Sequence, residues 1–186
     1  EIARNTVMLV PDNLYAGCYF SVAVVQLISL GFLSGVKIPK PERSHSGGRP
    51  IGVFLGMPAF ITGAISAALG YAMMSYLMTA TPLQIVNVVK LGTSANATII
   101  QWHVVAMFAP SFFTGHLISR FGVQHILTVG IVLYLTAIAC ALGGGGFWWY
   151  FGALALIGLG WNFLYIGGST LVASVANPEE RGRVQG

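Results

Sequence analysis

The sequence has 186 residues, of which 55% are hydrophobic and 8% charged, with a formal net charge of +4 and a mean hydropathy of +0.77. Soluble domains carry about 25% charged residues, and a soluble chain of this length cannot hide so many apolar side chains. The composition excludes an ordinary soluble domain and points to an integral membrane protein whose solvent is the lipid bilayer.

A spanning helix needs about 20 mainly apolar residues. Five runs qualify: Leu14 to Val36, Ile51 to Met78, Ala97 to Ile118, Val123 to Leu142 and Phe147 to Val175. None shows the alternation of a membrane β-barrel. Helices satisfy their own backbone in lipid, so the Gly and Pro within these runs are tolerable where neighbours pack closely. The expected fold is therefore an all-α integral membrane protein with about five transmembrane helices.

The connecting segments alternate in character. "KIPKPERSHSGGRP" (Lys37–Pro50) sets four basic residues against Glu42, and its Pro, Ser and Gly make it a flexible linker. Arg120 falls in the next segment on the same side, and Arg181 and Arg183 in the one after. The opposite segments hold Lys90, the uncharged "GGGG" (Gly143–Gly146), and Arg4 balanced by Asp12. The positive-inside rule places Lys37–Pro50, Arg120 and Arg181 in the cytoplasm. "FWWY" (Phe147–Tyr150) then reads as an outer aromatic belt. Basic residues spread over short loops in this way follow membrane topology, so no nucleic-acid partner is expected.

Chemistry-bearing motifs are few. HExxH, P-loop and GxSxG patterns are missing, so no catalytic residue, metal site or cofactor is assigned. Cys18 and Cys140 lie in apolar runs without CxxC or Cys/His spacing and are expected to be buried. The chain begins at Glu1 without Met or a signal-peptide pattern and stops at Gly186 inside a basic patch. It is expected to be a piece of a longer protein.

No Asp, Glu, Lys or Arg lies within the five spans, so attention falls on uncharged polar groups, which in membranes usually face a bundle interior or cavity. Gln101 and His103 in the third span and Asn162 in the fifth are the sharpest. Asn162, Tyr165 and Ser169 recur at helical spacing, with Gly158 and Gly160 before them. Pro110 is expected to bend its helix and free the carbonyl of Ala106. Gln101, His103, Asn162 and Tyr165 form the candidate substrate or proton site, His103 because imidazole titrates near neutral pH. Trp102, Trp161, Tyr76 and Tyr165 are of a kind that stacks on planar solutes or packs in belts.

"GHLISRFG" (Gly115–Gly122) resembles the loop signature of the major facilitator superfamily, a glycine, a spacer, an acid–basic pair and a second glycine. Gly115, Arg120 and Gly122 match, while Ser119 stands where an acid is usual. "PEERGRVQG" (Pro178–Gly186) resembles the superfamily's loop two spans later. "MTATPL" and "IQWHVVAMFAPSFFTGHL" resemble a bacterial branch of it. The resemblance covers nearly the whole chain. It implies helices six to ten of twelve: residues 1–36 end the N-terminal half, 37–50 are the central cytoplasmic linker, and 51–186 form an incomplete C-terminal half. It implies secondary active transport of a small-molecule solute by alternating access, in a bacterial inner membrane and with the remaining helices of the full chain as partners, a coupling proton being one candidate and the coupling ion left open. Gly115, Arg120, Gly122, Glu179, Glu180 and Arg181 become a cytoplasmic gating motif, in which Arg120 pairs with Glu179 or Glu180 in at least one state. Two rivals stand beside this reading. A membrane-embedded enzyme needs clustered acids or His pairs in its spans, and a non-transporting receptor shares the fold without the uptake.

Overall fold

The structure, a computed structural model, describes residues 16–37 and 48–185. Every regular element among them is helical. The chain divides into two compact units, Glu1–His45 and Ser46–Gly186. Most of the basic linker, together with Arg4 and Asp12, lies outside the described residues.

In the first unit, α1 (Ala16–Ser34) is a helix of 19 residues. Its serine hydroxyls fold back on the preceding turn: Ser21 donates to Gly17 O at 2.8 Å and Ser29 to Val25 O at 2.9 Å. That local bond satisfies a hydroxyl where lipid offers no partner.

The second unit holds α2 (Ile51–Leu55), α3 (Pro58–Leu83), α4 (Thr93–Phe108), α5 (Ser111–Phe121), α6 (Val123–Gly143), α7 (Phe147–Ser174) and α8 (Arg181–Gln185). By length and composition α1, α6, α7 and α3 with its π-helical extension can each cross a membrane, and the pair α4–α5, bent by 44°, makes a fifth crossing. The five expected spans are all present, with four adjustments. The second starts at Pro58 rather than Ile51, because Ile51–Leu55 forms the separate helix α2. The second runs on past Met78 to Val88, because Pro82 does not stop it: the lost N–H is followed by one π-helical turn, Gln84–Val88. The third starts at Thr93 rather than Ala97. It also breaks at Ala109–Pro110, where the α ladder ends on Ala109 N–H to Val105 O at 2.9 Å and resumes from Thr114 N–H to Pro110 O at 2.8 Å. Cys18 and Cys140, expected to be buried, are half-buried.

Helix α7 is the centre of this unit and packs against α6, α3 and α4. It reaches its neighbours through glycines. A Cβ at Gly168 would stand 2.5 Å from Gly63 O of α3, one at Gly160 would stand 2.7 Å from the Tyr134 ring of α6, and one at Gly158 would stand 2.6 Å from His103 O of α4. Lipid gives no hydrophobic drive for helix pairing, so such close backbone approach supplies the packing. Ile85, Leu127, Ala137, Leu154 and Ile157 fill the core between the helices. The Tyr134 hydroxyl also donates to Gly70 O at 2.9 Å, tying α6 to α3.

Candidate functional site

Three polar regions stand out, and they lie in different layers of the unit. The first is at the break between α4 and α5. Asn162 of α7 is fully buried, and its Nδ2 donates to Met107 O and to Ser111 Oγ, both at 2.7 Å. The carbonyl only accepts, which fixes the amide's orientation. The Thr114 hydroxyl lies 2.6 Å from Asn162 Oδ1 and 2.8 Å from Pro110 O, and its one hydrogen serves either acceptor. The bend foreseen at Pro110 is therefore real, but the carbonyl that gains a side-chain partner is that of Met107, one residue beyond the expected Ala106. Asn162 spans the broken helix like a strut.

His103 lies nearby in sequence yet makes a separate contact. Its ring is 1% exposed and Nδ1 donates to Leu154 O of α7 at 2.7 Å. Gly158 presses on the His103 carbonyl in the same interface. Gln101, two residues earlier, is exposed on the other side of α4. The structure thus does not gather Gln101, His103 and Asn162 around one cavity.

The second region is the face of α7 that carries Tyr165 and Ser169. Two clefts of about 490 and 470 Å³ flank it, both bordered by Tyr165, Ser169 and Gln185. Phe60, Ala64 and Ala67 of α3 wall one of them, and Thr170, Ser174 and Arg181 lie along the other. Thr170 and Ser174 donate within their own helix, whereas the Ser169 hydroxyl makes no hydrogen bond among the described residues. Tyr165 is 41% exposed and its ring stacks on Trp161 with centroids 5.0 Å apart and planes 10° apart. The stripe read as Asn162, Tyr165 and Ser169 splits here: Asn162 points to α4–α5, and Tyr165 and Ser169 point to the clefts. Ser169 lies about 10 Å further along the helix than Asn162, so the two meet different neighbours although seven residues bring them back to nearly the same face.

The third region closes the cytoplasmic end predicted from the charges. Glu180 is 5% exposed. Its Oε2 accepts Arg49 Nη2 at 2.7 Å and the Asn177 N–H at 3.0 Å. Its Oε1 accepts the Arg49 N–H at 2.9 Å and Nε at 3.1 Å. Arg49 Nη2 donates to Val175 O as well, at 2.9 Å, beside the C-terminus of α7. The guanidinium also lies 4.6 Å from the centre of the Phe54 ring. Hydrogen bonds from Arg49 and the Asn177 N–H hold the Glu180 carboxyl down at about 2, and Glu180 in turn raises the Arg49 guanidinium.

The gating motif expected from sequence is rearranged accordingly. Glu180 is bound by Arg49, not by Arg120. Arg120, exposed in the last turn of α5, lies 5.5 Å from the centre of its neighbour Phe121's ring and makes no ion pair among the described residues. Glu179 and Arg181 are exposed. Gly122 forms the α5–α6 turn with φ of +84°, a value that suits glycine. Gly115 instead lies inside α5, with open space where a Cβ would go. From sequence Arg49 is one of four linker cations, and nothing near it in the chain marks a partner 131 residues away.

Residues 10–186 match the Major Facilitator Superfamily. The chain belongs to this superfamily. The relatives it matches are named as transporters. It is 44% identical to the riboflavin transporter RfnT of Brucella anthropi, over 95% of this chain and 45% of that protein. It is 33% identical to the uncharacterized MFS-type transporter YdeG of Bacillus subtilis, over 68% of this chain and 30% of that one. It is 28% identical to YddS of the same organism, also an uncharacterized MFS-type transporter, over 79% of this chain and 34% of the other. The chain thus spans less than half the length of these relatives. No solved structure matches it.

Proposed function

We propose that this major facilitator chain is the part of a flavin transporter that supplies one wall of the solute pathway. The reading is carried by the 44% identity to a riboflavin transporter across nearly the whole chain. The clefts beside Tyr165 and Ser169 suit such a solute, because they combine an exposed aromatic face, an unspent hydroxyl and the amide of Gln185. The mechanism is alternating access: two halves rock about a midplane site, and the solute meets one side of the membrane at a time. In that scheme residues 1–36 complete the first half, 37–50 link the halves in the cytoplasm, and 51–186 begin the second half. Transport is secondary active with a proton as coupling ion, in a bacterial inner membrane. His103 and Asn162 hold α4, α5 and α7 in register behind the pathway.

The test is uptake by the full-length protein. Expressed in a riboflavin-auxotrophic bacterium that lacks its own importer, it supports growth at micromolar riboflavin, and a protonophore abolishes uptake of labelled riboflavin. Normal membrane expression without growth or uptake rejects the flavin reading.

A further inference from the structure

We propose that the Trp161–Tyr165 pair is a stacking platform for a planar heteroaromatic ring, an inference that rests on the flavin reading above. The two residues lie one turn apart on α7, and their rings are nearly parallel, at 10° and 5.0 Å. Behind them Phe108 of α4 meets Trp161 edge to face at 5.9 Å and 71°. Trp161 is the buried member of the three, at 8% exposed, whereas Phe108 is 57% exposed and Tyr165 is 41% exposed and borders both clefts. The ring that faces the clefts is thus backed by a buried ring.

This arrangement has a chemical consequence. A ring already fixed by its neighbour gives up little freedom when a flat solute settles on it, so the contact is strong for its area. Stacking tolerates substituents on the solute and recognises a conjugated plane. Polar groups flank the platform toward α8: the Ser169 hydroxyl one turn on, then Gln185, whose amide lies 3.5 Å from Ser169 O. The site therefore fits a flat tricyclic ring on Tyr165 with its polar edge or chain toward Ser169 and Gln185. Tyr76 and Trp148, equally aromatic and more exposed, border neither cleft, and Tyr76 makes no ring contact among the described residues.

Free flavins fluoresce, and stacking on Tyr or Trp quenches them, so binding and geometry have separate readouts. In full-length protein in detergent, riboflavin bound to the wild type is expected to be largely quenched. Tyr165→Phe keeps the ring and is expected to hold both the quenching and the Kd within about threefold. Tyr165→Leu is expected to weaken binding about tenfold and to restore emission to whatever flavin still binds. Tyr76→Leu is expected to change neither. Riboflavin that binds the wild type and stays as bright as free flavin overturns the platform without recourse to any variant. Wild-type affinity and quenching in Tyr165→Leu overturn it too, and leave the flavin reading standing. A wild type that binds no riboflavin overturns the flavin reading and this site with it.

Discussion

Arg49 and Glu180 stand 131 positions apart in the sequence and meet at 2.7 Å. Each oxygen of Glu180 accepts from both Arg49 and, on one side, the Asn177 backbone, and Arg49 reaches past it to the Val175 carbonyl. The pair therefore locks the segment entering α2 to the segment leaving α7. A cation beside the last carbonyls of α7 also complements that helix's dipole.

The lock has a defined pH range. Glu180 titrates at about 2 in the folded protein against an ordinary 4.5. A depressed carboxylate stabilises the fold above its unfolded value, and this stabilisation is lost as pH falls toward the folded one. Thermal unfolding in detergent should show a midpoint that falls between about pH 4.5 and pH 2. Glu180→Gln should lower the midpoint at neutral pH and flatten the curve in that range. An unchanged acid limb in Glu180→Gln would show that other carboxylates set it.

Charge reversal separates Arg49 from Arg120. Arg49→Glu places two carboxylates together and should reduce both stability and uptake severalfold. Arg120→Glu meets no acid in this state and should leave the melting midpoint within about a degree, in line with the small effects of exposed charges. If the two variants are equally damaged, Arg120 has an acidic partner in another state that matters as much as this one.

The five spans were legible in the sequence because long apolar runs without charge have few alternatives in lipid. Their breaks were less so. Pro82 lies just past the second expected run and Pro110 within the third, yet one is absorbed by a π turn and the other bends the chain, and Asn162 stands opposite the second. Which acid meets which base was not legible at all. Arg49, Arg120, Arg181 and Arg183 all fall on one expected side with Glu179 and Glu180, and sequence spacing does not choose among them. Tyr165 was readable as aromatic and polar, and its i, i+4 spacing from Trp161 permits the stack, but which of the exposed aromatics border a cleft depends on how the helices pack.

The α3–α7 crossing depends on two glycines. A Cβ at Gly168 would lie 2.5 Å from Gly63 O and 2.9 Å from Ala67 N, both backbone atoms with no room to yield. Gly168→Val should abolish folded protein in the membrane fraction. Gly152, on the same helix with nothing within 4 Å of a Cβ, provides the contrast. Gly152→Ala should keep full expression and gain about 0.5–1 kcal/mol from reduced backbone entropy in the unfolded chain. Equal expression of Gly168→Val and wild type would show that the helices do not cross so closely.

Asn162 should be costly to remove. Its amide joins Met107, Ser111 and Thr114 across the broken span. At roughly 0.6 kcal/mol for each interhelical bond, Asn162→Leu should lose about 2 kcal/mol. Asn162→Asp should lose at least as much, because an ionised carboxylate has no hydrogen to give the Met107 carbonyl. Denaturation in mixed detergent measures both. A stability equal to wild type in Asn162→Leu would mean that the bend stands without its strut.

His103 provides the sharpest separation of anchoring from proton transport. Its Nδ1 donates to the Leu154 carbonyl at 2.7 Å, and the ring is 1% exposed at an interface where Gly158 touches its backbone. The side chain borders neither of the clefts beside Tyr165. An asparagine amide places its nitrogen close to where Nδ1 sits, so His103→Asn keeps the bond to Leu154 and removes titration. A glutamine nitrogen reaches to the position of Nε2 and cannot make that bond from the same rotamer. Anchoring therefore predicts an order: His103→Asn keeps uptake within about twofold, His103→Gln does worse, and His103→Leu is the least stable, by roughly 1–3 kcal/mol for the partner left unmet. Proton transport predicts a different result, in which all three variants lose the same pH-dependent part of uptake whatever their stability. Uptake in the full-length protein, measured across pH 5 to 8 where an unperturbed imidazole titrates at about 6.5, distinguishes the two. The expected outcome is that His103→Asn traces the wild-type pH profile, because an imidazole with one nitrogen committed to a helix carbonyl and its ring sealed from both clefts has no route by which to collect or release a proton. A profile that loses its pH dependence in His103→Asn, with the fold intact, would return His103 to the transport cycle.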